Sequence, residues 1–187
     1  MSNVVNVNNK QELEQHLRDR HMDIDLHMPI ISDQIATFLL YNLSGQIVGY
    51  QRYNPAFPSA VAGDGRQSNL RDRRYYNYVS PNKIGLFGLE SFHKDVPCVF
   101  VVEGVFDACR LTSQGACAIA MLTNTPSSSM KNFLICLSKP LIAICDNDPS
   151  GKKLKSVGHY HETVRDGKDL GDCSQDFVDY ILKKYAN

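Results

Sequence analysis

The 187-residue sequence has no surplus of either charge, since 20 lysines and arginines balance 20 aspartates and glutamates. That balance argues against a protein coated for indiscriminate nucleic-acid binding, which needs a strong basic excess. No apolar run approaches the roughly 20 residues of a membrane-spanning helix. The first ten residues are asparagine-rich and polar rather than a secretory signal, so no membrane partner is expected. The six cysteines (Cys98, Cys109, Cys117, Cys136, Cys145 and Cys173) stand singly with no C-x-x-C pair. Neither a zinc ribbon nor a disulfide framework fits that spacing, and the thiols read as buried and free in a reducing cytoplasm. A Gly-x-x-x-x-Gly-Lys-Ser/Thr loop is also missing, because Gly151-Lys152-Lys153 lacks the rest of it, which excludes a fused ATP-driven motor.

Hydrophobic residues make up 43% of the chain, enough for one well-packed domain or two small ones. Charge is unevenly spread: residues 1–48 sum to −3, residues 49–94 to +4 and residues 95–187 to −1. The positive segment lies just upstream of two acidic stretches around which the sequence is organised. Val101-Val102-Glu103-Gly104-Val105-Phe106-Asp107-Ala108 and Ala143-Ile144-Cys145-Asp146-Asn147-Asp148-Pro149-Ser150-Gly151 each follow a short apolar run, residues 99–102 and 141–145. Such runs have the length and branching of strands buried on both faces. A carboxylate at the end of a buried strand is rigidly held where an open α/β sheet meets solvent.

Between the two stretches the pattern predicts a helix over 105–114 closed by Gly115, a strand over 117–122, and a helix over 127–137 with Pro126 at its start. In this β-α-β-α-β run, placing the second strand on one side of the first and the third on the other brings Glu103 to face Asp146 and Asp148 across the switch-point crevice. Asp146 and Asp148 lie two apart on extended backbone, roughly 6–7 Å between Cα atoms. Like charges so placed resist full ionisation unless a cation sits between them. Mg²⁺ suits the set, because it combines one or two carboxylates with waters and substrate phosphates.

Two other readings bear on the same residues. Asp148-Pro149-Ser150-Gly151 is a good type I turn, which is compatible with metal binding. The string also imitates the start of a calcium loop, but that loop needs glutamate at its twelfth position, where Val157 stands. For Glu103 the plainer alternative is a solvent-facing strand end.

Upstream, residues 10–20 read as a short helix with Leu13 and Leu17 on one face, and residues 37–43 and 46–53 as strands of a hairpin turning at Ser44-Gly45. A proline- and glycine-rich loop over 54–65 follows. Arg71, Arg73, Arg74, Tyr75, Tyr76 and Tyr78 then interleave cations with aromatic rings, a way of gripping phosphates while offering faces to bases. The alternative is a solvated edge strand with tyrosines packed on the core. After the acidic pair only about eight residues precede the next apolar segment, whereas a parallel crossover usually takes about a dozen. The fourth strand is therefore either reached by a short crossover or not parallel. His159 and His161 read as a solvent-facing pair, and residues 174–185 close the chain as an amphipathic helix.

Glu103-Gly104 with Asp107-Ala108, then Asp146-Asn147-Asp148 with Gly151, resemble the TOPRIM domain shared by bacterial-type primases, type IA and II topoisomerases and several nucleases. The resemblance covers residues 97–185. Gly49-Tyr50-Gln51-Arg52, Arg74-Tyr75-Tyr76-Asn77 and Leu86-Phe87-Gly88-Leu89 look like the segment preceding TOPRIM in bacterial and phage-type primases, with Arg74 where lysine is usual, and Gly167-Lys168-Asp169 resembles a late Lys-Asp element of the same proteins. The implied architecture is α/β: a Rossmann-like, mostly parallel TOPRIM domain over 96–187, preceded by a small α+β primase-like subdomain over 1–95.

The resemblance implies a minimal primase core, without zinc-binding or topoisomerase cleavage modules, that joins ribonucleotides on single-stranded DNA. It would be cytoplasmic, in the host if phage-encoded. Glu103, Asp146 and Asp148 would be catalytic and hold Mg²⁺ or Mn²⁺, with Asp107 and Asp169 as auxiliary ligands. Arg52, Arg71, Arg73, Arg74, Lys83 and Lys168 would contact template or nucleoside triphosphate, and a separate replicative helicase is a further candidate partner. A TOPRIM nuclease would use the same carboxylates with water as nucleophile, and a non-catalytic nucleic-acid-binding module is the third possibility.

Overall fold

A computed structural model describes residues 4–57, 73–93, 95–123, 125–149, 151–167 and 169–186. Helix α1 (Lys10–Asp19) starts at Asn9, whose side chain accepts the Glu12 amide, and buries Leu13 and Leu17. The short α2 (Ile24–His27) leads into an antiparallel sheet of β1 (Ile30–Ile31), β2 (Ala36–Tyr41), β3 (Ile47–Tyr53) and β4 (Tyr75–Val79), in that order. The hairpin read at Ser44-Gly45 joins β2 to β3. The tyrosines of the basic-aromatic run, Tyr75, Tyr76 and Tyr78, lie in β4, which is an edge strand among the described residues.

The second sheet is parallel. It comprises β5 (Val99–Val102), β6 (Ala118–Ala120), β7 (Leu141–Cys145) and β8 (Tyr160–Thr163) in the order β6-β5-β7-β8. The first strand thus lies between the second and third, and the switch point falls between β5 and β6 on one side and β7 on the other. Helices α3 (Val105–Thr112), α4 (Ser128–Ile135) and α5 (Gln175–Tyr185) complete this half. Side-chain alternation explains the unbroken apolar runs. Phe100, Val102, Ile142 and Ile144 face the layer holding α3 and α5, while Val99, Val101, Leu141 and Ala143 face α4. Each such fully buried Val, Leu, Ile or Phe contributes about 1.5–3 kcal/mol.

Strand β8 is parallel to β7, so the short crossover is the alternative realised. It consists of a seven-residue 3₁₀ helix, Gly151–Val157. At about 2 Å rise per residue this spans roughly 14 Å, close to the roughly 16 Å length of five-residue β7. An α-helix of equal residue count would fall short.

The two sheets share one core. Leu86 pairs with Tyr41 of β2 and its neighbour Phe87 with Ala120 of β6, stitching the sheets together. Phe38, Tyr53, Phe87 and Phe106 form an aromatic cluster at the seam, with Tyr53 and Phe106 centroids 5.0 Å apart edge-on. The buried His27 ring contacts both Glu90 and Thr112, pinning α2 to the parallel half. Of the six free cysteines five are buried and Cys136 is exposed. Among the described residues no helix is long and apolar enough to cross a membrane.

Candidate active site

A cavity of about 260 Å³ opens at the carboxyl end of β5 and β7 and is lined by Glu103, Asp107, Asp146 and Asp169, together with Arg20, Gln51 and Tyr75. Four of the five acids singled out in the sequence therefore meet in one place. Glu103 follows β5 directly and Asp146 follows β7. Asp107 lies in the first turn of α3, where its Oδ2 accepts the Gly104 amide at 3.1 Å. A Cβ at Gly104 would sit 2.7 Å from that oxygen, so a larger residue there would have to displace the Asp107 carboxylate. The glycine after the Asp-x-Asp pair has a similar basis. A Cβ on Gly151 would stand 2.7 Å from the Asp146 Cβ, so the crossover packs against the strand end only without one.

Asp169 arrives from the loop before α5, 62 residues after Asp107 in sequence, and is held there because the Gly171 amide donates to Asp107 Oδ1 at 3.1 Å. Asp148 is placed differently. It is exposed, its Oδ1 accepts the Gly151 amide, and it lies outside the cavity lining, although its charge acts on Glu103. Backbone strain marks the rim: Leu122, after β6, adopts φ +57° while donating its N–H to the Glu103 carbonyl at 2.9 Å. A bulky residue in the left-handed region is costly and clusters at functional sites.

The carboxylates crowd one another. Burial, then the charges of Asp107, Glu103, Asp169 and Asp148, pushes Asp146 up to about 8. Asp107 is pushed up to about 7 by burial and by Asp169, against the opposing pull of the Gly171 and Gly104 amides and Arg20. Burial also raises Glu103, with Asp148 adding to it, and raises Asp169, with Asp172 adding to it. Full ionisation of the set is therefore disfavoured unless a cation joins it. The donor chemistry fits a hard divalent cation, being carboxylate oxygens on two rigid strand ends. Among the described residues no group of three or more acidic, histidine or cysteine side chains is arranged to hold a metal ion by itself. Such an open set suits Mg²⁺ or Mn²⁺, which complete their shells with water and phosphate oxygens.

Three lining residues escaped the sequence reading in this role. Arg20 comes from the end of α1, lays its guanidinium 3.8 Å over the Phe106 ring, and interacts electrostatically with the Tyr53 and Tyr75 hydroxyls. Gln51 and Tyr75 reach in from β3 and β4, with Gln51 donating to Asn77 Oδ1 at 2.7 Å. No local pattern announces these contacts; only the helix ending in arginine and the tyrosine run were visible.

The basic residues read as nucleic-acid contacts are dispersed. Arg52 alternates with buried Gln51 and Tyr53 and so points from the opposite face of the sheet. Arg74 is part-buried and its Nε donates to the Phe57 carbonyl at 2.7 Å. Arg73 and Lys83 are exposed, and Arg71 and Lys168 lie outside the described residues.

This arrangement, a parallel sheet of order β6-β5-β7-β8 with acids at the β5 and β7 ends and an antiparallel sheet alongside, is the TOPRIM-containing fold of bacterial primase catalytic cores. Solved structures bear it out. A DNA primase domain from Pseudomonas aeruginosa superposes with a TM-score of 0.57 at 18% identity, covering 96% of this chain and 60% of that one. The RNA polymerase domain of Mycobacterium tuberculosis primase DnaG, in complex with double-stranded DNA, gives 0.58 at 14% identity, covering 97% and 65%. A DnaG primase catalytic domain bound to single-stranded DNA gives 0.53 at 18%, covering 91% and 58%. The chain thus spans between about half and two thirds of the length of these primase structures, from 49% of the Aquifex aeolicus protein to 65%. At this identity the likeness is one of fold. By sequence, no protein-family model and no curated protein matches the chain.

Proposed function

We propose that the protein is a primase-like nucleotidyltransferase that joins ribonucleotides on single-stranded DNA, residues 96–187 acting as its TOPRIM domain and residues 1–95 as an α+β subdomain. The observation that carries this reading is the convergence of Glu103, Asp146, Asp107, Asp169 and Arg20 on one cavity at the switch point, within a primase-core fold. Glu103 and Asp146 would bind Mg²⁺ or Mn²⁺ from the two strand ends, with Asp148 at the outer edge and Asp169 opposite. The metal supplies Lewis-acid stabilisation of charge on the attacking and leaving oxygens. Asp107 positions the Asp169 loop by accepting the Gly171 amide while its other oxygen caps α3 at Gly104. Arg20 offers the cavity a fixed cation for a phosphate oxygen, the geometry in which guanidinium is most effective.

Single-stranded DNA, nucleoside triphosphates and labelled nucleotide in Mg²⁺ or Mn²⁺ buffer provide the test. Wild-type protein is expected to build short template-dependent oligomers and release pyrophosphate, with little DNA degradation when triphosphates are omitted. Glu103→Gln is expected to depress this by orders of magnitude, because it removes charge at the reacting centre. Cleavage of DNA without triphosphates, abolished by the same substitution, would overturn synthesis in favour of a nuclease. DNA binding with neither reaction would leave a binding module.

A further inference from the structure

Strand alternation divides the tyrosines of β4 between two faces of the antiparallel sheet. Tyr75 pairs with Tyr53 and faces the acidic cavity, whereas Tyr76 pairs with Arg52 and Tyr78 with Tyr50 on the opposite face. There the four side chains form a two-by-two grid over adjacent strands. The Tyr50 centroid lies 5.5 Å from that of Tyr78 and 6.2 Å from that of Tyr76, with the rings tilted rather than stacked on one another. Tyr78 is 44% exposed, and Tyr50, Arg52 and Tyr76 are half-buried. Among the described residues β4 is the edge strand, so the grid lies at the border of the sheet.

We propose that this outer face is a stacking platform for single-stranded DNA, separate from the acidic cavity. Charge complementarity selects the occupant. The four strands of this sheet contain no aspartate or glutamate, so a polyanion meets no repulsion from the sheet itself, and Arg52 stands among the rings to receive a phosphate. Bases stack on tyrosine faces whatever their identity, which gives binding without sequence preference. The inference rests on the primase reading for the nature of the polymer but on none of its carboxylates. A template strand held here would be anchored on one side of the sheet while the metal site works on the other.

The test uses the full chain in EDTA, so that the metal site is silent, and fluorescein-labelled single-stranded oligothymidylate read by anisotropy. Replacing both Tyr50→Leu and Tyr78→Leu is expected to weaken binding by about tenfold or more, while Tyr78→Phe, which keeps the ring, binds as wild type. Arg52→Gln is expected to flatten the dependence of log affinity on log salt by about 0.7. Because the chain has no tryptophan, quenching of tyrosine emission on titration with unlabelled oligothymidylate reports stacking directly. Should the double variant not fold, Tyr78→Ala alone, at the most exposed of the three rings, together with the quenching titration carries the test. Wild-type affinity in a folded variant lacking the rings overturns the platform. So does a variant that binds DNA normally but no longer self-associates in sedimentation, which would make the face a contact between copies. Either result leaves the carboxylate chemistry to be judged by oligomer synthesis alone.

Discussion

Asp107 Oδ1 accepts the Gly171 amide across 64 residues of sequence, so the first turn of α3 holds the loop that delivers Asp169. Its other oxygen caps the same helix through Gly104. One buried carboxylate thus does for the site what a crosslink would do, fixing a late loop against the earliest strand of the parallel sheet. Its position in the cavity wall suits it to positioning as much as to metal binding.

Asp107→Ala is expected to destabilise the fold by about 1–3 kcal/mol, because two amides lose their acceptor. Urea denaturation measures the loss, and hydrogen exchange locates it. The Gly104 and Gly171 amides should exchange faster while those of β5 and β7 do not. Unchanged protection at Gly171 would mean that the Asp169 loop is held by something else.

The crowded carboxylates set a pH dependence of defined sign. With Asp107 pushed up to about 7 and Asp146 to about 8, the folded protein binds more protons than the unfolded chain, whose carboxyls titrate near 4. Stability therefore falls as pH rises through 7 and 8. His16 and His21 are held below their usual values and oppose this only on the acid side of that window. Thermal unfolding in EDTA is expected to give a lower Tm at pH 8.5 than at pH 6.5. Millimolar Mg²⁺ or Mn²⁺ should raise Tm more at the higher pH, where the carboxylates are ionised and ready to bind. A Tm in EDTA that rises across this interval contradicts the charge crowding.

What the sequence disclosed and what it hid follow from the range of the interactions involved. Glu103 and Asp146 were visible because each ends an apolar run whose buried, two-faced character is a local property. The strand order was accessible too, since the chirality and spacing of β-α-β units leave few arrangements. The 3₁₀ crossover appeared only as a shortage of residues. Arg20 was hidden because its approach depends on how the antiparallel half docks through Phe38, Tyr53 and Phe106. The face of Arg52 turned on strand register, since a shift of one residue exchanges the two sides of a sheet. Asp148 shows a subtler limit: its spacing from Asp146 allows a shared side, but the tight turn to Gly151 draws its carboxylate out to the surface.

Arg20 separates charge balance from substrate contact. Its guanidinium sits 3.8 Å over the Phe106 ring among the cavity-lining residues, so it is pre-oriented toward the cavity at little further entropic cost. A phosphate oxygen entering the cavity would meet a charge-assisted donor whose partner groups are already in place. Arg20→Met should therefore raise the KM for nucleoside triphosphate about 10- to 100-fold, the equivalent of roughly 1.5–3 kcal/mol for a hydrogen bond to a charged group. The effect on kcat should be smaller, because the carboxylates at the strand ends remain. Arg20→Lys keeps the charge but loses the planar, delocalised guanidinium that sits over Phe106, so partial recovery of KM is expected. If Arg20 only offsets the nearby acids, Arg20→Met should leave KM unchanged and instead lower Tm at alkaline pH, where Asp107 and Asp169 lose their nearest compensating charge. Oligomer-synthesis kinetics and thermal unfolding on the same two variants distinguish these outcomes.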